Sequence, residues 1–236
     1  APGLENAGPE TVHIAGSPYD ASLTVIYMTY NNNGQIMVSR NGGATPLLNV
    51  PDFVSMTGVP GETIIAYAIA TYGQNGLISD MYIGDISTIA GASPAVHLED
   101  SSYRAIKPLG IHMEGGSPAG AWYTLRPYGI GGDIVFDPTD ELYYVELSSG
   151  AVTTYNNNVN HSASMSTDLT WVANARGEPG NGMFHIYNLL NGATYGFNPI
   201  AGNDRGSGYG VFSPANGYVA WMEGSGWTMS APPNFP

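Results

Sequence analysis

At 236 residues and 24.8 kDa the chain has the size of one ordinary domain or of an array of smaller units. Six Lys and Arg stand against 19 Asp and Glu, a formal charge of −13, so it cannot neutralise a run of phosphates. That argues against nucleic acid as a partner and against electrostatic docking on an anionic membrane. The absence of Cys excludes disulfide scaffolds, thiolate metal sites and thiol catalysis, while 43% hydrophobic residues are ample for a core.

The N-terminal stretch APGLENAGPE has neither the basic n-region nor the apolar h-region of a signal peptide. It also lacks an initiator Met, which fits a processed secreted protein or an excised fragment. No apolar run approaches the roughly 18–20 residues of a membrane-spanning helix. In chain order, short runs rich in Val, Ile, Tyr, Thr and Trp fall at 23–30 (LTVIYMTY), 35–39 (QIMVS), 63–70 (TIIAYAIA) and 121–125 (AWYTL). Others follow at 141–147 (ELYYVEL), 170–173 (TWVA), 183–188 (MFHIYN) and 218–222 (YVAWM). Asn-Gly, Gly-Gly and Ser-Gly pairs separate them, and no Gly- and Pro-free window carries helical periodicity, so the chain reads as all-β.

The strands recur as a unit. Residues 164–173 (SMSTDLTWVA) align with 211–220 (VFSPANGYVA), each a short strand, a Ser-led turn and an aromatic–Val–Ala strand. Comparable turn positions fall at 17, 57, 117, 166 and 213, with a mean spacing of 49 residues. A second hairpin follows each pair, at 34–48, 79–88, 141–155 and 183–197. Four strands repeating every 40–50 residues predict a β-propeller of four-stranded antiparallel blades.

The segments Ser-Pro-Ala-Asn-Gly-Tyr-Val-Ala-Trp at 213–221 and Leu-Tyr-Tyr-Val-Glu-Leu-Ser-Ser-Gly-Ala-Val at 142–152 resemble the TolB-type, WD40-like propeller repeat. That repeat places Ser-Pro-Asp-Gly between its first two strands, and by this reading its Asp is missing from all five turns. The resemblance implies a single propeller domain over 1–236, with blades near 12–50, 51–100, 101–156, 157–200 and 201–236. The last blade falls short of four strands. Either the N-terminal strand around 11–15 and the segment 225–230 complete it, giving five blades, or the chain is part of a larger propeller.

Candidate functional residues are sparse. His112 and Glu114 are two apart on an expected inner strand, where alternation aims both at one face and, in a propeller, toward the channel. Tyr128 and Asp133 lie in the longest variable loop, 126–140, the place where a propeller varies its binding face. Asp133, Asp137, Asp140 and Glu141 offer oxygen ligands for Ca²⁺, yet Asp137-Pro138-Thr139-Asp140 also reads as a plain turn, and no other metal or cofactor is expected. No nucleophile elbow, P-loop or His-based metal motif is present. Tyr27, Tyr67, Tyr123, Trp171, Tyr218 and Trp221 recur at matched places and are expected between blades rather than as sugar-stacking platforms. Together these features point to a non-enzymatic binding scaffold for a protein or carbohydrate partner. Low Lys, abundant Gly, Asn, Ser, Thr and Tyr, and an acidic pI near 4.4 suggest a secreted, periplasmic or cell-surface setting. The competing reading is a glycoside hydrolase or a lectin on a five-bladed scaffold.

Overall fold

The computed structural model describes residues 12–16, 24–29, 34–40, 43–127, 141–155, 163–176, 183–197, 207–213, 218–223 and 226–230. Apart from a single 3₁₀ turn at Ile89–Gly91, every regular element there is a β-strand. The chain divides into two compact units, residues 1–129 with 144–153 and residues 130–143 with 154–236.

The first sheet contains β1 (Val12–Ala15), β2 (Thr24–Thr29), β3 (Gln35–Arg40) and β4 (Gly43–Asn49) in the order β1-β2-β3-β4. The second repeats that order with β5 (Phe53–Gly58), β6 (Ile64–Tyr72), β7 (Leu77–Asp85) and β8 (Val96–Asp100). The third is built from β9 (Arg104–Glu114), β10 (Ser117–Pro127), β11 (Leu142–Glu146) and β12 (Val152–Tyr155), again in chain order across the sheet. In the second unit, β13 (Ser164–Met165), β14 (Trp171–Arg176), β15 (Met183–Asn188) and β16 (Thr194–Phe197) form the fourth sheet. Among the described residues the fifth contains β17 (Ser207–Phe212), β18 (Val219–Glu223) and β19 (Gly226–Ser230). Successive antiparallel meanders of this kind are the blades that the repeat spacing predicts.

Side-chain alternation explains the packing of these sheets. Between the first two, Ile26 and Met28 of β2 and Ile36 of β3 meet Met56, Ile65 and Tyr67 of β5 and β6, with Ile86 and Ile89 closing the cluster. Each such side chain contributes about 1.5–3 kcal/mol when fully removed from water. The next joint contains a polar link. Ser79, wholly buried, donates to the carbonyl of Ile69 at 3.1 Å and accepts the N–H of Ile106 in the third sheet at 3.0 Å. In the second unit, Trp171, Ala173, Ile186, Phe212 and Val219 form a separate core.

Several sequence expectations are corrected here. Among the described residues the N-terminal strand is part of the first sheet. Val12–Ala15 pairs along its whole length with β2, with Val12 opposite Tyr27 and Ala15 opposite Thr24, because His13 and Ala15 bury while Ile14 faces out. Residues 226–230 do join the last sheet, as β19 on β18. Ser117-Pro118 is not a turn: the β9–β10 hairpin closes on Gly115-Gly116, both at positive φ, and Ser117 already pairs with Glu114. The second-blade turn begins at Val59 rather than Thr57, since Val59 N–H bonds the carbonyl of Ile64 and Glu62 N–H that of Val59. Ser166 repeats this pattern with Trp171 and Leu169. The turn Asp is also present once. Asp168 occupies the third position of Ser166-Thr167-Asp168-Leu169 and binds the hydroxyls of Ser166 and Thr170.

Candidate functional site

Every residue of β9 from Ala105 to Ile111 is buried, so this strand is covered on both faces and emerges only at its end. His112 and Glu114 are the exposed residues there, next to the Gly115-Gly116 turn. The returning strand β10 sets Gly120 opposite His112 and Trp122 opposite Gly110.

Gly120 is the pivot of the site. It is buried, and a Cβ at this position would overlap the phenol of Tyr144 and approach the carbonyl oxygen of Val145 to 2.7 Å. With only hydrogen there, Tyr144 of β11 lies across β10 and brings its Oη to 2.9 Å from Nδ1 of His112. Trp122 packs against the same phenol, with ring centroids 4.9 Å apart and planes inclined at 53°. The His112 and Tyr144 ring centres are 6.2 Å apart. Such tilted contacts suit the ring quadrupoles and hold both aromatic groups in place. Three rings from three strands thus form one half-exposed surface, all within the first unit. Beneath the neighbouring part of the sheet, burial pushes the Tyr123 phenol up to about 12 and keeps it neutral.

Of the sequence candidates, His112 and Glu114 share this end of β9, and the hydrogen-bond partner of His112 is Tyr144 rather than Glu114. Tyr128 and Asp133 lie outside the described residues, as do Asp137 and Asp140. Glu141 accepts a hydrogen bond from the phenol of Tyr143 at 2.7 Å. Among the described residues no group of three or more His, Asp or Glu could hold a metal ion, and no helix is long and apolar enough to cross a membrane. Tyr27, Tyr67, Tyr123 and Trp171 are buried as expected, whereas Tyr218 is 54% exposed; the side chain of Trp221 lies outside the described set. Trp122 and Tyr144 escape sequence reasoning because their pairing joins strands about 20 residues apart. The available signal is Gly120 inside a strand pattern, which marks close approach of another group.

No family model matches the sequence, and no curated protein sequence matches it either. Solved structures do. TolB from Acinetobacter baumannii superposes with a TM-score of 0.62 at 13% identity, covering 94% of this chain and 52% of that one. The chain has a TolB-like β-propeller fold. A putative TolB from Agrobacterium tumefaciens gives a TM-score of 0.58 at 13% identity over 92% of this chain and 72% of that one. Acylaminoacyl peptidase from Pyrococcus horikoshii gives 0.56 at 10% identity over 93% and 37%. The TolB-like chain therefore spans about half the length of the Acinetobacter protein, and these identities carry the fold alone.

Proposed function

We propose that the chain is a non-enzymatic binding module of the secreted, periplasmic or cell-surface space, and that its ligand seats on the surface made by His112, Tyr144 and Trp122. The observation that carries this reading is the locked ring set. Tyr144 is seated over a glycine that leaves room for it, with His112 hydrogen-bonded to its phenol and Trp122 packed against its ring, at the end of β9 that also carries the exposed Glu114. Aromatic side chains fixed by mutual contact and a hydrogen bond are preorganised, so little side-chain freedom is lost on binding.

The same arrangement favours a saccharide as the specific ligand class. Sugar rings present C–H faces to aromatic planes and hydroxyls to a carboxylate or an imidazole. Titration of the protein with soluble oligosaccharides and with extended peptides, followed by the Trp122 indole signal in NMR spectra, tests both classes. The expected result is reversible binding without product, weakened about tenfold or more in Trp122→Ala and Tyr144→Ala. Hydrolysis that disappears in Glu114→Gln would replace this reading by a glycoside hydrolase. Fractionation of the source cells tests the location, and a cytoplasmic pool would refute it.

A further inference from the structure

A groove lies elsewhere in the first unit and shares no lining residue with the ring surface. The β3–β4 hairpin and the segment after β7 enclose a groove of about 390 Å³. Val38, Pro46, Leu47 and Ile86 give it apolar walls, and Arg40 supplies its cation. A cavity of this size with few polar groups is typical of a small-molecule site.

Arg40 is oriented by a hydrogen bond, and among the described residues it makes no ion pair. Its Nε donates to the hydroxyl of Thr24 at 3.1 Å, which orients the guanidinium and leaves the Nη edge for another acceptor. Among the described residues no carboxylate lies within ion-pair distance of it; Arg104, by contrast, pairs with Asp100 at 2.8 Å. Asp85 is the acid nearest in effect, and its oxygens are occupied by the Ser87 N–H at 2.8 Å, the Ser87 hydroxyl at 2.6 Å and the Thr63 hydroxyl. Arg40 is the single cation among the groove's lining residues, in a chain with six basic residues and a net charge of −13.

We propose that this groove binds a small amphipathic monocarboxylate of medium-chain fatty-acid type, its carboxylate on Arg40 and its chain along Val38, Pro46, Leu47 and Ile86. The guanidinium fork matches a carboxylate in geometry, and the walls match a chain of about eight carbons in polarity and size. The strongly negative field of the protein favours a single charge over a phosphate-rich ligand.

Isothermal titration of the whole chain with octanoate and with 1-octanol, both below their aggregation thresholds, separates the charge from the apolar chain. Octanoate is expected to bind about tenfold or more tightly than the alcohol, the scale of a charge-assisted contact. Arg40→Met keeps the apolar stem and should bring octanoate down to the affinity of the alcohol. Gly43→Phe should block both ligands while leaving Arg40 in place, because a Cβ at Gly43 meets only the Arg40 carbonyl oxygen at an ordinary 3.6 Å. Circular dichroism and thermal unfolding confirm that each variant is folded. Equal affinity for acid and alcohol, undiminished octanoate binding in Arg40→Met, or no binding of octanoate by the native chain at millimolar concentration would each overturn the proposal.

Discussion

Ser79 accepts the backbone N–H of Ile106 at 3.0 Å, a hydrogen bond that joins the second sheet to the third from a fully buried position. The same hydroxyl donates to Ile69, so both of its roles are used. Ser79→Ala should therefore strand a donor and an acceptor and cost about 1–3 kcal/mol. Ser55 is as deeply buried, yet its hydroxyl has no hydrogen-bond partner among the described residues. Ser55→Ala should be neutral or stabilising. Urea unfolding of the two variants checks the contrast, and equal losses would contradict it.

Gly120 gives a second contrast, with Gly43. A methyl group at residue 120 meets the Val145 carbonyl oxygen as well as the Tyr144 phenol, and the backbone atom cannot swing away. Gly120→Ala should cost about 1–3 kcal/mol through overpacking and displace Tyr144 from His112. Gly43→Ala meets ordinary van der Waals space at normal strand geometry. It should gain up to about 1 kcal/mol by restricting the unfolded chain. Thermal unfolding reads both changes, and a shift of the Trp122 indole resonance in Gly120→Ala alone reports the loss of the ring packing.

Much of the architecture was legible because strand residues announce themselves locally. The runs at 23–30, 35–39, 63–70, 121–125 and 183–188 became β2, β3, β6, part of β10 and β15, since their β-branched and aromatic residues fit a pleated, half-buried surface. β9 was harder to see: Lys107, Pro108 and Gly110 interrupt its pattern, and burial on both faces removes the alternation. The turns misled by one or two residues, because Ser-Pro at 117–118 resembles the repeat's turn while Gly115-Gly116 makes it. The site was only half legible. His112 and Glu114 are two residues apart in sequence, but the group that orients His112 comes from another strand 32 residues away.

Asp168 and Leu169 show how one turn keeps the repeat's geometry with altered residues. Leu169 has φ of 61°, the left-handed region the repeat fills with Gly. Leu169→Gly should relieve about 1 kcal/mol of backbone strain, offset in part by the greater freedom of Gly in the unfolded chain. Asp168→Ala removes the acceptor of the Ser166 hydroxyl and of the Thr170 N–H and hydroxyl, and should cost about 1 kcal/mol. Partial burial opposes ionisation of Asp168, but these hydrogen bonds outweigh it and hold the carboxyl below its usual range. Its contribution is thus present at neutral pH and fades as the carboxyl protonates in strong acid. Denaturant midpoints for the two variants at pH 7 should move in opposite directions.

His13 supplies the pH dependence nearer neutrality. It reaches from β1 to the turn after β5, with Nε2 2.9 Å from the carbonyl oxygen of Glu62 and its ring where a Cβ on Gly58 would sit. The neutral ring donates Nε2–H to that carbonyl. Burial lowers its pKa below the ordinary value of 6.5, only partly countered by the carbonyls of Glu62 and Val59. At pH above 6.5 both folded and unfolded chains carry a neutral His13, and the residue has no linkage effect. As pH falls below 6.5 the unfolded chain takes up a proton that the folded chain still excludes, so stability is lost until the lowered pKa is passed. Thermal unfolding between pH 7.5 and 5.5 should therefore show a midpoint that falls with acid. His13→Gln, which keeps a donor for Glu62 but cannot ionise, should flatten that slope with the exposed His97 and His112 still present. An unchanged slope in His13→Gln would assign the dependence to another group.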